Sequence, residues 1–264
     1  KHQMKLVALV LFSLSLSVFA QEVPRKHMRF IPLGDLPPHR ETIRNGVRTQ
    51  FPPPPGTVPP RPTTLAVDPK EGRDVPLRLK EFTQWSSINP SAGGVKLFQG
   101  KQIGGKPWIS SRFSPKAQSL GVLFADLQNK NWFNPKVVMV PDDLSTFPLG
   151  SIRFVNVSHC SALVRFGNEK ADVIAPGKVL LKKLKQGNHP VLVGYLVPGK
   201  NNAREVIFQN ELMMKPRQRI QAFFYQARGK NPRNAVKFFH RGEFYVPPPK
   251  LKKDAAVAGG QVIP

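Results

Sequence analysis

The residues best suited to metal chemistry are the single cysteine and the few histidines and methionines. His159 and Cys160 are adjacent, and His189 and Met213 follow at long spacing. Two histidines, a cysteine and a methionine can bind copper when a fold brings them together. Neighbouring residues of a strand, however, point to opposite faces, and the sequence lacks the closely spaced Cys, His and Met of such sites. We therefore predict no metal site and no cofactor, and we expect Cys160 to be a small buried side chain.

A glycine-rich segment offers a weak match to a phosphate-binding loop. Residues 100–106 (GKQIGGK) have the required spacing, but Pro107 occupies the position of the magnesium-binding Ser or Thr. The next residues (WISSRF) do not form a helical pattern whose N-terminus could hold phosphate. We interpret the segment as a glycine-rich hairpin.

Carboxylates that could act as a general acid and base are scattered. A glycoside hydrolase needs two convergent carboxyl groups, and no spacing singles out such a pair. The candidates in the central region are Asp126, Asp142, Asp143, Glu205 and Glu211. We predict no catalytic residue and no enzymatic activity, with a hydrolase of envelope polymers as the alternative.

Basic residues interleaved with aromatic residues form the remaining candidate site. The formal net charge is +24, and most of the excess lies between residues 76 and 245. Basic faces with nearby rings, here Phe223 and Tyr225, suit anionic polymers and head groups. The alternative is that the rings lie in the core and the charges are only solvated. The candidate polyanion-binding residues are Lys182, Lys183, Lys185, Arg217, Arg219, Arg228, Lys230 and Arg233.

Short β-strands must position these residues. Turn-punctuated apolar runs occupy residues 151–157, 162–166, 171–175 and 179–184, and residues 198–202 (PGKNN) are a strong hairpin loop. Residues 217–228 alternate with period two and carry aromatic residues, which favours a strand over a helix. We predict an all-β fold, an antiparallel sandwich of one or two packed units.

The composition divides the chain into four parts. Residues 1–20 have a basic start, an apolar run and small residues before Gln21, which predicts a signal peptide. Residues 21–74 are rich in proline and predict a disordered linker. The β-sandwich region is predicted at 75–245, with a possible subdivision near 145, and a disordered tail at 246–264. The mature chain is expected to have no transmembrane helix and to be secreted, to the periplasm or the cell surface.

The segment FPLGSIRFVNVSHCSALVRFG…APGK, from Phe147 onward, resembles a group of uncharacterised exported bacterial proteins. Their common core reads PxGSxRxxN, then a short strand, PG and a further strand. The same order is similar to immunoglobulin-like or cupredoxin-like accessory domains of secreted proteins. The resemblance covers about residues 75–243 and implies a non-catalytic β-sandwich, without functional residues to carry over.

Together these patterns predict an exported, non-catalytic β-sandwich protein with a binding or structural role at the cell envelope. Acidic polysaccharide, lipid head groups and other envelope proteins are the expected partners, and intracellular nucleic acid is not. Besides the hydrolase, a subunit of a surface assembly is an alternative, and it would present an unpaired strand edge or an apolar patch.

Overall fold

The computed structural model describes residues 24–199, 203–229 and 232–246. These residues form strands and loops, with a single 3-10 turn at Pro90–Ala92. The predicted all-β sandwich fold is confirmed, and residues 218–226 are a strand as expected. In the described ranges no helix has the length and apolarity needed to cross a membrane. The predicted signal peptide (1–20) and residues 247–264 of the predicted tail lie outside the described residues.

The first sandwich is built from the first ten strands. They are β1 (Lys26–Leu33), β2 (Glu41–Arg44), β3 (Val47–Gln50), β4 (Thr63–Ala66), β5 (Gly72–Asp74), β6 (Ser86–Ile88), β7 (Val95–Gln99), β8 (Ile109–Ser111), β9 (Gln118–Phe124) and β10 (Lys136–Pro141). Two sheets, ordered β10-β9-β1-β6 and β5-β4-β7-β8, pack around a core that includes Phe30, Leu97 and Leu123. The β2-β3 hairpin projects with mostly exposed side chains. Residues 100–108 connect β7 to β8, which confirms the hairpin interpretation.

The second sandwich is built from the last eight strands. They are β11 (Ser151–Asn156), β12 (Ala162–Phe166), β13 (Asp172–Ile174), β14 (Val179–Lys183), β15 (Gly187–Leu196), β16 (Arg204–Met214), β17 (Gln218–Gln226) and β18 (Val236–Phe244). The sheets β14-β11-β17-β18 and β13-β12-β15-β16 enclose a core that includes Phe154, Val193 and Phe224.

The two sandwiches share one topology. The sheet β10-β9-β1-β6 corresponds to β18-β17-β11-β14, and β5-β4-β7-β8 corresponds to β13-β12-β15-β16. Every pair within these sheets is antiparallel except β1–β9 and β11–β17, which are parallel at equivalent places. The chain thus folds as two successive copies of one eight-stranded plan, with the β2-β3 hairpin inserted into the first copy.

The strand register aligns the two copies residue by residue. Residues 28–31 (MRFI) of β1 align with residues 152–155 (IRFV) of β11, and a small residue lies opposite each phenylalanine, Gly121 in the first copy and Ala222 in the second. A Cβ atom at Gly121 would lie 2.6 Å from the Phe30 ring. A small residue is therefore needed where this ring crosses the neighbouring strand.

The prediction that residues 21–74 form a disordered linker is wrong from residue 24 onward. Strand β1 lies in the middle of its sheet, and residues 28–33 are buried. Pro32 is tolerated there because its carbonyl oxygen, which accepts the Lys80 N–H at 2.8 Å, points away from β9. The missing N–H of Pro32 faces the same side and costs no ladder hydrogen bond.

The predicted start of the folded region at Val75 is also wrong. The segment after Val75 forms no strand, although Val75 and Leu77 are buried in the first core. The alternation of apolar and charged residues in this segment reflects burial of a loop, because the core contains apolar side chains from loops as well as from strands.

We predict that Gly121→Val lowers the free energy of unfolding by about 1–3 kcal/mol, since the new side chain must displace the Phe30 ring. Gly104→Val is the matched control, because nothing lies within 4 Å of a Cβ atom there, and it should change stability by about 0.5 kcal/mol or less. Urea denaturation of both variants measures the difference. Equal destabilisation would contradict this account of the crossing.

Candidate functional site

One sheet from each sandwich packs its outer face against the other. Ile31, Leu33 and Val122 of the first sandwich meet Val155 and Phe223 of the second, and all five side chains are buried. These residues alternate along their strands with those of the two sandwich cores, so both faces of the central strands are covered. The two copies therefore share a third apolar core between them.

A cluster of buried charges lies in the same contact. The Arg29 Nε atom is 2.8 Å from Asp142 Oδ2, and its two terminal nitrogens are 2.6 and 2.7 Å from the carboxylate oxygens of Glu243. Asp142 is fully buried and only 12% of the Glu243 side chain is exposed. Arg29 of the first sandwich therefore binds Glu243 of the second through a two-pronged ion pair.

Two further arginines and one glutamine complete this ion network. Arg153 Nη2 lies 2.8 Å from Asp142 Oδ1, and Arg219 Nε lies 3.0 Å from Glu243 Oε1. Gln221 Nε2 donates to both carboxylates at 3.2 Å. Every carboxylate oxygen in the cluster thus has at least one donor.

The ion network follows the internal repeat. Arg29 and Arg153 are at equivalent positions of β1 and β11, and Asp142 and Glu243 both come one residue after the equivalent partners Pro141 and Gly242. Each copy therefore supplies one arginine and one carboxylate from the same places in the fold. Arg219 has no charged counterpart, because the equivalent position of β9 is Gln118.

Aromatic rings cover the guanidinium groups. The Phe147 ring centroid lies 4.3 Å from Arg153 and 4.6 Å from Arg219, so one ring is shared by two cations. Phe82 lies 4.5 Å from the guanidinium carbon of Arg29. Ring faces attract cations, which partly replaces the water that these groups lose on burial.

The pKa values follow the balance of burial and charge. Burial opposes ionisation of Glu243, but its hydrogen bond to Arg29 and the charges of Arg29 and Arg219 lower its pKa. For Arg29, burial is outweighed by Glu243 and Asp142, which raise the pKa. Arg153 is buried more deeply and faces one carboxylate beside two other arginines, so burial dominates and lowers its pKa to about 10.

The ion network is suited to holding the sandwiches together and not to proton transfer. The carboxylate oxygens of Asp142 and Glu243 accept charge-assisted hydrogen bonds from groups inside the contact, so neither carboxylate is directed at a ligand. Three arginines face two carboxylates, which leaves one net positive charge in the contact.

The other predicted carboxylates are dispersed. Asp126 and Asp143 accept backbone N–H groups of their own turns, and Glu205 is hydrogen-bonded to the Tyr195 hydroxyl. Glu211 is exposed on the edge strand β16. None of these carboxylates pairs with another at hydrogen-bonding distance within the described residues.

One surface cavity, of about 350 Å³, is lined by two carboxylates that the sequence did not single out. These are Asp74 and Glu81, and both are exposed. Glu81 lies 3.7 Å from the guanidinium of Arg78. The cavity is therefore lined by carboxylates in contact with solvent, and not by a buried carboxyl group of the kind that general acid catalysis requires.

The candidate copper ligands are separated. His159 is exposed whereas Cys160 is buried, and burial followed by the charge of Glu205 raises the pKa of the Cys160 thiol. The prediction of a buried cysteine is confirmed. Met213 is 56% exposed on β16. Within the described ranges no three His, Cys, Asp or Glu residues are grouped to hold a metal ion.

Four of the eight predicted polyanion-binding residues do not join a common face. The prediction that Arg219 belongs to a binding surface is wrong, because this residue is buried in the ion network. Lys182 is ion-paired, with its Nζ 2.6 Å from Glu169 and 3.0 Å from Asp172. Arg228 and Arg233 follow the far end of β17, roughly 30 Å from its start at about 3.3 Å per residue, and Lys230 lies outside the described residues.

The other three predicted residues, Lys183, Lys185 and Arg217, are exposed at one end of the second sandwich. Lys215 joins them from the turn between β16 and β17. We call Lys183, Lys185, Lys215 and Arg217 the basic end.

Gln218 holds the loops of the basic end together. Its backbone oxygen accepts the Gly150 N–H at 2.7 Å, and its side-chain oxygen accepts the Lys215 N–H at 3.0 Å. The Gly150 oxygen in turn accepts the Leu184 N–H at 2.8 Å. Neither residues 183–188 nor residues 213–218 contain an Asp or Glu, so these four cations have no acidic neighbour in their own loops.

Sequence reasoning missed the ion network and Lys215. The repeated segments at residues 28–31 (MRFI) and 152–155 (IRFV) were the available signal, and they place an arginine between apolar residues in both copies. Lys215 was recognisable only as part of a turn, because its neighbours come from another hairpin.

Models of known protein families give no match to this chain, and a search of curated proteins likewise found no match. The geometry of the ion network and of the basic end is therefore the basis for a functional assignment.

We predict that Asp142→Asn lowers the free energy of unfolding by about 3–5 kcal/mol, because it leaves buried guanidinium groups without their countercharge. Asp143→Asn is the control one residue away, where only local turn hydrogen bonds change, and should cost about 1 kcal/mol or less. Urea denaturation followed by tryptophan fluorescence and circular dichroism measures both. A similar loss in the two variants would contradict the assigned role.

We also predict that the ion network makes the protein sensitive to acid. The folded pKa of Glu243 lies below its ordinary value, so its stabilisation is complete above that value, about 4.3, and is lost as the pH falls through the folded pKa. Glu243→Gln should be less stable than the wild type at pH 7, and the difference should shrink toward pH 3. Denaturation at each pH tests this, and parallel curves for the two proteins would contradict it.

Proposed function

We propose that the protein is an exported, non-catalytic β-sandwich protein that binds polyanions at the cell envelope through its basic end. The observation that carries the proposal is the convergence of four exposed cations from two loops that contain no acidic residue. Such a cluster keeps its positive potential because no carboxylate of the same two loops neutralises it. The leader-like residues 1–20 and the resemblance to exported bacterial proteins support the location.

The distribution of charge supports binding by the basic end over a general effect of net charge. The arginines of the ion network and Lys182 are matched to carboxylates. Among the described residues, no carboxylate is ion-paired to a cation of the basic end. These cations lie beside loops held by Gln218, which keeps them together without the entropy cost of ordering a flexible tail.

The non-catalytic part of the proposal is supported by the state of the carboxylates. Asp142 and Glu243, which converge in the sandwich contact, are saturated by arginines. A hydrolase would need at least one convergent carboxyl group that reaches a ligand.

We predict that the full chain is retained on heparin at physiological salt and that Lys215→Gln/Arg217→Gln elutes at clearly lower salt. Lys101→Gln/Lys106→Gln is the matched control, because it removes the same charge from two exposed lysines of the β7-β8 loop. Its elution should stay close to that of the wild type. Elution of the wild type with neutral proteins, or equal shifts in the two variants, would contradict the proposal.

A further inference from the structure

The basic end also presents three large apolar side chains to solvent. Leu149 is 40% exposed, Met213 is 56% exposed and Phe244 is 60% exposed. Single exposed apolar residues are common on protein surfaces. These three differ because all of them lie beside the same four cations.

Gln218 links each apolar side chain to the basic end. Leu149 precedes Gly150, whose N–H donates to the Gln218 oxygen, and Phe244 is the strand partner of Gln218. Met213 lies two residues before Lys215, whose N–H donates to the Gln218 side chain. The three apolar side chains and the four cations thus surround one hydrogen-bonded residue.

We propose that the basic end docks on an anionic lipid surface, with the cations at the head groups and Leu149, Met213 and Phe244 entering the boundary of the acyl chains. Peripheral membrane binding combines these two contributions, electrostatic attraction to anionic lipid and burial of apolar area. An acidic polysaccharide would engage the cations but would leave Leu149 and Met213 exposed to water. This inference rests on the proposed polyanion binding and names its ligand.

A second part of the surface also combines arginine with apolar residues, and it provides a control. The β2-β3 hairpin exposes Ile43 and Val47, with Arg48 and Arg44 as their strand partners. There each apolar side chain lies directly opposite one arginine on the neighbouring strand. Glu41 Oε1 lies 4.0 Å from Arg48 Nη1. The hairpin therefore presents no acid-free basic cluster.

The test uses the full chain with vesicles of phosphatidylcholine alone or with 30% phosphatidylglycerol, followed by co-sedimentation. The wild type should bind the anionic vesicles and not the neutral ones. Leu149→Ser/Met213→Ser/Phe244→Ser should bind anionic vesicles at least about tenfold more weakly yet elute from heparin like the wild type, which also shows that the variant is folded. Ile43→Ser/Val47→Ser should bind like the wild type.

Removing charge distinguishes the proposal of lipid binding from the broader proposal of polyanion binding. Lys215→Gln/Arg217→Gln should weaken vesicle binding about 25-fold, roughly fivefold for each cation, and should also lower heparin retention. Retention of the wild type on heparin without binding to anionic vesicles would overturn the lipid proposal and leave polyanion binding standing. Undiminished vesicle binding by the triple serine variant, or its loss in the hairpin variant, would also overturn it. Failure of the wild type on both ligands would reject both proposals.

Discussion

Two buried carboxylates hold three guanidinium groups between the sandwiches, and the arrangement of the two copies depends on this balance. Removing each charge from water costs several kcal/mol, which is offset only when all partners are in place. The apolar contact around Ile31 and Phe223 is not directional. The pairing of Arg29 with Glu243 is directional, because both terminal nitrogens must meet the carboxylate. The ion network therefore gives the contact between the copies an orientation that apolar burial alone does not specify.

The internal repeat explains why each copy contributes an arginine and a carboxylate to the contact, and its departures from symmetry explain the basic end. In the first copy, Lys26 extends its Nζ to the oxygens of Pro115 and Lys116 and covers that turn. The strand register puts Gly150 at the position equivalent to Lys26, and Pro216 and Arg217 at those of Pro115 and Lys116. Since Gly150 has no side chain, the turn at residues 215–217 stays open to solvent.

The second sandwich could be predicted from the sequence because its apolar runs are separated by turn residues such as Pro176 and Gly177. Strand β1 could not be predicted in the same way. Composition does not distinguish a proline that breaks a strand from one such as Pro32, whose carbonyl faces away from β9. The ion network could not be predicted from the sequence for another reason. Arg29 is 113 residues from Asp142 and 214 residues from Glu243, and no local pattern separates a buried arginine from a solvated one.

Arg217 and Arg219 show how backbone conformation decides whether an arginine is exposed at the basic end or buried in the ion network. Arg219 lies within β17 and its side chain enters the sandwich contact, where it is 1% exposed. Arg217 precedes the strand with a φ of 56°, in the left-handed region, so its side chain leaves the alternation of the strand and reaches solvent. A side chain other than glycine costs about 1–2 kcal/mol in that conformation, and glycine would remove the cost. The left-handed turn therefore leaves the Arg217 guanidinium at the surface, whereas that of Arg219, two residues further on, is buried in the ion network.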